Sequence, residues 1–113
     1  MKERTIQRKI LVELSREFLG RGVFWQNDTG VAKSMDGKRT IRFGLPGSPD
    51  IIGCLDGRWV GIEVKTATGK QREAQKKFQA AIERAGGIYF VARSPEEAIE
   101  GIRQRVSCAA RNP

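Results

Sequence analysis

Residues 47–69 read GSPDIIGCLDGRWVGIEVKTATG, and this stretch decides how the rest of the chain is read. Two apolar runs, DIIGCL at 50–55 and WVGIEVK at 59–65, flank Asp56-Gly57-Arg58. Asp-Gly between apolar runs is the strongest short-range hairpin signal. The stretch therefore predicts two antiparallel strands at the centre of the fold. Side chains alternate along a strand, so Glu63 and Lys65 leave one face while Val60, Ile62 and Val64 fill the opposite, buried face. Pro46 and Pro49 stiffen the approach to Asp50, which opens the first strand, and the hairpin register brings its carboxylate toward Glu63. Gly61 is expected to leave backbone room beside these groups.

Two readings of these charges are open. An acidic residue and a lysine at alternating strand positions form a modest ion pair on a solvated face. Alternatively, Asp50 and Glu63 supply hard oxygen ligands to Mg²⁺, whose preference for oxygen and retained waters suits a phosphate-cleaving site. In that site Lys65 either orients or deprotonates an attacking water or stabilises charge gathering on the phosphate. The first role needs a lowered pKa and the second needs the charged form.

Outward from the hairpin, apolar residues at Ile6, Ile10, Leu11, Leu14 and Phe18 predict an amphipathic helix from Glu3 to about Leu19, ended by the segment 20–22. Short strands are expected at 23–26 and 40–43, joined by a loop carrying Lys33, Lys38 and Arg39. A second helix is expected over 71–85, with Ala74, Phe78, Ala81, Ile82 and Ala85 on one face, closed by Gly86-Gly87. IYFVA at 88–92 follows as a buried strand. A last, short helix starts at Pro95 with Ser94 as its cap and includes Ala98, Ile99 and Ile102, and the final residues are expected to fray. The order predicts an α/β fold with a mixed central sheet and helices on both faces.

The chain has 113 residues, which suits one domain over 1–113 with a modest core. Lysine and arginine number 21 against 13 acidic residues, a net charge of +8 that favours a polyanionic partner, most simply nucleic acid. Histidine is absent, which excludes histidine-assisted nucleophilic catalysis and histidine-ligated zinc. Cys54 and Cys108 have no metal-knuckle spacing and read as buried or incidental thiols of a reducing cytosol. No run reaches membrane-spanning length, and MKERTIQRK lacks the apolar segment of a secretory signal, so a cytoplasmic location without membrane association is expected.

Pro49-Asp50 followed by Glu63-Val64-Lys65 resembles the signature of the PD-(D/E)xK nuclease superfamily. The wider context (IQRKIL, WQNDTG, GLPGSPDII, Gln75 and YFVARSPEEAI) resembles more narrowly the VRR-NUC domain in its short stand-alone viral and bacterial forms, over nearly the whole chain. The resemblance implies a restriction-endonuclease-like fold and metal-dependent hydrolysis of DNA phosphodiesters with departure of the 3′ oxygen. It implies Mg²⁺, with Mn²⁺ as an alternative, held by Asp50, Glu63, the backbone carbonyl of Val64 and Glu3. Lys65 would assist catalysis and Gln75 would border the site. Glu3 is preferred to Glu13 because ExxIQ is similar to the family's opening. At the family's Val-Arg-Arg run this chain has Val91-Ala92-Arg93, so Arg93 is either a DNA contact or a structural ion pair.

Gln26, Asn27 and Thr29 are candidate sugar-phosphate contacts, although NDTG is also a competent turn. Lys33, Lys38, Arg39 and Arg42 are candidates for a phosphate-facing loop, and Lys70, Arg72, Lys76 and Lys77 for a basic rim. The stand-alone relatives it resembles act as homodimers on branched DNA, which implies a Holliday junction as substrate; if the chain is viral, it would act inside the host cell. Two-fold protein symmetry would match the approximate symmetry of such a junction. The rival expectation is a non-catalytic DNA-binding protein on a nuclease-like scaffold. A sequence-specific nuclease ranks below both, because the chain holds no separable reading module.

Overall fold

A computed structural model describes the backbone of residues 2–111 and the side chains of residues 2–106. The elements run α1 (Glu3–Glu17), β1 (Gly22–Gln26), β2 (Gly30–Lys33), β3 (Thr40–Phe43), β4 (Ile51–Leu55), β5 (Arg58–Val64), α2 (Glu73–Arg84), β6 (Ile88–Ala92) and α3 (Pro95–Arg111). Four strands form a mixed sheet in the order β1-β4-β5-β6, antiparallel except for the β5–β6 pair. The fold is thus mixed α/β, with helices on both faces of that sheet.

The β4–β5 hairpin turns at Asp56 and Gly57, both with positive φ (51° and 81°), as a two-residue turn between right-twisted strands requires. Arg21 clamps the turn through a 2.7 Å ion pair to Asp56. One sheet face packs on α1 and α3. Ile6, Ile10, Leu14 and Phe18 at helical spacing meet Phe24, Ile51, Leu55, Val60, Ile62, Val64, Ile88 and Phe90 from the strands, with Ala98 and Ile102 from α3. The Ser94 hydroxyl accepts from Glu97 N–H at 3.1 Å and caps α3. Crossover helix α2 covers the other face only at the β5–β6 side.

Several expectations need correction. Residues 30–33 are a strand rather than loop, and β2 pairs with β3 as a separate two-stranded ribbon, so 40–43 does not join the main sheet. On α2, Ala74, Ala81 and Ala85 are exposed, and the helix meets the sheet through Gln75, Phe78, Gln79 and Ile82. Its inner face is therefore half polar. Gly61 does not leave open room: a β-carbon there would lie 2.6 Å from Pro49 Cγ and 2.6 Å from the Trp59 ring. Cys54 is exposed, not buried. The last helix is not short: α3 runs 17 residues to Arg111, so fraying is left as an expectation only for residues 112–113, outside the described residues, and the Cys108 side chain also lies outside them. No helix among the described residues is long and apolar enough to cross a membrane.

Candidate metal and nucleic-acid site

The hairpin register sets Ile51 opposite Ile62. One step further, Asp50 faces Glu63 across the strand pair, where two side chains on the same face stand about 5 Å apart. Asp50 Oδ2 accepts the Val64 N–H at 2.8 Å, so its carboxylate extends the ladder just ahead of the start of β4. In an antiparallel ladder a residue's N–H and C=O point the same way, so the Val64 carbonyl also leaves on the Asp50 side. Glu3, in the first turn of α1, completes a set whose carboxylate oxygens lie within 4.8 Å of one another: Glu3, Asp50 and Glu63. Glu13 lies elsewhere on α1, paired with Arg16 at 3.4 Å.

Glu63 and Lys65 are not on a solvated face. They are 3% and 7% exposed, and Lys65 Nζ lies 3.9 Å from Glu63 Oε1. Burial, then the hydrogen bond and charge of Asp50, push the Glu63 carboxyl up to about 9; Lys65 opposes the rise and Glu3 adds to it. Burial and Asp50 thus favour the protonated form of Glu63, which the neighbouring Lys65 offsets only in part.

Tyr89 was read from sequence only as part of a buried strand, yet it belongs to this site. Its hydroxyl lies 3.0 Å from the Gly47 carbonyl and 3.4 Å from Glu63 Oε2. With one hydrogen to donate, the hydroxyl bonds the nearer carbonyl and places its oxygen beside the glutamate. Burial and the neighbouring Glu63 raise its pKa. The signal available in the sequence was a lone tyrosine in an otherwise apolar strand, since a buried phenol needs a partner for its oxygen. Gly47, with φ +83°, lets its loop lie against α2, where a β-carbon would sit 2.2 Å from the Ala74 carbonyl oxygen.

The carboxylates open into a cleft of about 400 Å³, lined also by Lys65, Thr29, Arg42, Arg72 and Gln75. Gln75 is buried and its Oε1 accepts the Arg72 N–H at 2.8 Å, which satisfies an orphan donor at the start of α2. Its amide nitrogen remains available to the cleft. The other candidates do not line it. Gln26 bonds Asp28, and Asn27 holds the loop before Asp50 by donating to Ser48 Oγ at 3.0 Å and to the Pro49 carbonyl at 2.9 Å. Lys33, Lys38 and Arg39 lie on the exposed ribbon, and Lys70 is exposed outside the cleft. Lys76 pairs with Glu73 and Lys77 lies on the outer side of α2. Arg93 lies outside the cleft and donates to the Gly69 carbonyl at 2.8 Å, a backbone bond rather than the structural ion pair that is one of its two readings. No protein-family model matches the chain, and no curated protein matches it at a significant level.

Proposed function

We propose that this chain is a divalent-cation-dependent endonuclease of the PD-(D/E)xK type, with a restriction-endonuclease-like fold similar to the VRR-NUC domain. It acts as a homodimer on branched DNA, with the four-way junction as substrate. The observation that carries this reading is the convergence of Glu3, Asp50, Glu63 and Lys65 in one cleft, drawn from the first turn of α1, the start of β4 and the end of β5.

The donor set fits Mg²⁺ or Mn²⁺: three carboxylates and one backbone carbonyl offer only oxygen, with space for retained waters. A bound cation would polarise the scissile phosphate and lower the pKa of a coordinated water. The chain's own groups do the rest. Asp50 is fixed by the Val64 N–H, so its second oxygen is free to ligate. Glu63 would hold a cation as the carboxylate, and the Tyr89 hydroxyl, bonded to the Gly47 carbonyl, walls the site beside it. Lys65, held beside Glu63, reaches the same face and stabilises charge on the phosphate or handles the proton of the attacking water. Arg42 and Arg72 on the cleft walls take flanking phosphates, and the start of α2 adds the positive end of its dipole. These contacts address backbone rather than bases, which suits recognition of DNA shape. One subunit offers one such cluster among the described residues, so paired cuts across a junction need two subunits.

The test is cleavage of a synthetic four-way junction beside a linear duplex of matching sequence, in Mg²⁺, Mn²⁺ or EDTA, with wild type and Asp50→Asn. Metal-dependent, symmetrical junction cuts that vanish in the variant are expected. Binding of both DNAs with no cleavage in either ion would replace the catalytic reading with that of a DNA-binding protein.

A further inference from the structure

The two edges of the main sheet differ. At β6, the carbonyls of residues 88, 90 and 92 face β5, because Ala92 C=O accepts the Lys65 N–H. The Tyr89 carbonyl therefore points outward, and Gln79 Nε2 closes it at 3.1 Å. At β1 the bonds from Asn27 N–H to Asp50 C=O and from Asp56 N–H to Arg21 C=O show that odd-numbered residues face β4. Phe24 and Gln26 thus present their N–H and C=O groups at the outer edge, and β1 has no second strand partner among the described residues. Proteins normally blunt such an edge with a lysine, a proline, a bulge or a cover. GVFWQ carries neither charge nor proline, in a chain that is 30% charged.

The adjoining sheet face is bare as well. On the side that α2 leaves open, Val23 (67% exposed) and Trp25 (48% exposed) stand beside Ile52 and Cys54, up to Trp59, whose ring packs on Phe78 of α2, and none of these carries a charge. A polyanion has nothing to bind there. The patch is instead the place where two chains of net charge +8 can meet with their charges held at the periphery.

From these observations we infer that β1 is the dimerisation strand: the edge pairs antiparallel with β1 of a second copy about a two-fold axis at Phe24. A strand paired antiparallel with itself is self-complementary, as an isologous contact requires. Phe24 of each copy exchanges both backbone bonds with its counterpart, and Gln26 N–H donates to the Gly22 carbonyl across the axis. Val23 lies opposite Trp25 of the second copy, twice, in the closer non-hydrogen-bonded register. The two four-stranded sheets become one, and the bare faces adjoin. This assigns the contact that the two-subunit reading above requires, and it rests on that reading only for the existence of a dimer.

Sedimentation velocity on the full chain, without DNA or metal, tests it using charge pairs placed at the two exposed positions. Wild type is expected to sediment as a dimer at micromolar concentration. Val23→Lys with Trp25→Lys sets like charges opposite each other twice and should weaken the dimer about 100-fold or more. Val23→Lys with Trp25→Glu sets opposite charges at the same positions and should remain dimeric, with both variants keeping the wild-type far-ultraviolet circular dichroism. A double-lysine variant that stays dimeric would overturn the β1 contact and leave the two-subunit reading standing. A Lys/Glu variant that is folded but monomeric would overturn the antiparallel register. A monomeric wild type would overturn both the contact and the dimer, while junction cleavage is scored separately.

Discussion

Replacing Glu63 by glutamine is expected to stabilise the ion-free protein, and by an amount that grows with pH. The folded-state carboxyl is pushed from 4.5 up to about 9, chiefly by burial and then by Asp50. Between those values the unfolded chain is ionised while the folded chain must hold a proton. A raised carboxyl pKa means that the folded state binds more protons, so stability falls as pH rises through this window and levels off above it. At about 1.4 kcal/mol per pH unit, the penalty near pH 7 is roughly 3 kcal/mol. Glutamine has nearly the same shape, has no charge to lose and can donate to Asp50 as the protonated glutamate does. The variant should therefore match wild type near pH 4.5 and exceed it by about 3 kcal/mol at pH 7 in EDTA. At this chain length the difference is about 12 °C in melting temperature. Taking the difference between two proteins cancels the general effect of titrating a strongly basic chain. Magnesium should reverse the order of benefit: wild type gains stability from the ion, increasingly so up to about pH 9, because binding must expel the proton, whereas the variant gains little. Thermal unfolding of both proteins from pH 5 to 9, in EDTA and in Mg²⁺, reads all four curves. A flat difference between pH 5 and 9, or a variant less stable than wild type at pH 7 in EDTA, would refute the claim that burial and Asp50 keep Glu63 protonated.

Three further outcomes follow from the same geometry. Asp50→Asn keeps an oxygen to accept the Val64 N–H, so its melting temperature in EDTA should stay within a few degrees of wild type while junction cleavage falls at least about 1000-fold. Gly47→Ala forces a β-carbon against the Ala74 carbonyl at positive φ and should cost about 2 kcal/mol in urea unfolding, with a further loss of activity as the loop leaves Tyr89. Arg42→Gln and Arg72→Gln should each weaken junction binding uniformly across sequences. Each should also lower the slope of log affinity against log salt by about one, read by anisotropy titration at several salt concentrations.

The hairpin was legible because its signals are local. Asp56-Gly57 dictates the turn, the turn dictates the register, and the register sets Asp50 opposite Glu63. The period of α1 and the Ser94 cap are legible for the same reason. What escaped depends on who packs against whom. Residues 30–33 hold no long apolar run, and only pairing with 40–43 makes them a strand. Alanines on α2 fitted a helical stripe, but Gln75 bonds the Arg72 N–H at the start of its own helix and Gln79 bonds the Tyr89 carbonyl of the sheet, so the buried stripe is shifted around the helix. The cationic residues were legible as charge and not as place: Arg42 and Arg72 reach the cleft, whereas Lys33, Lys38, Arg39 and Lys70 do not.

The burial of Glu63 and Lys65 carries the largest consequence. Had they been a solvated pair, their attraction would be worth less than about 1 kcal/mol and would imply nothing further. Sunk between Tyr89, Asp50 and Glu3, they give the ion-free fold a liability that only a proton or a cation relieves. A site built only for stability would be better served by apolar side chains of similar volume. Three converging carboxylates and a buried lysine, at the mouth of a cleft with arginines on its walls, instead support the proposal that a divalent cation and a phosphate bind there together. If cation binding does not raise stability more at pH 8 than at pH 6, the carboxylates are an internal hydrogen-bond network and the cleft is an anion-binding groove.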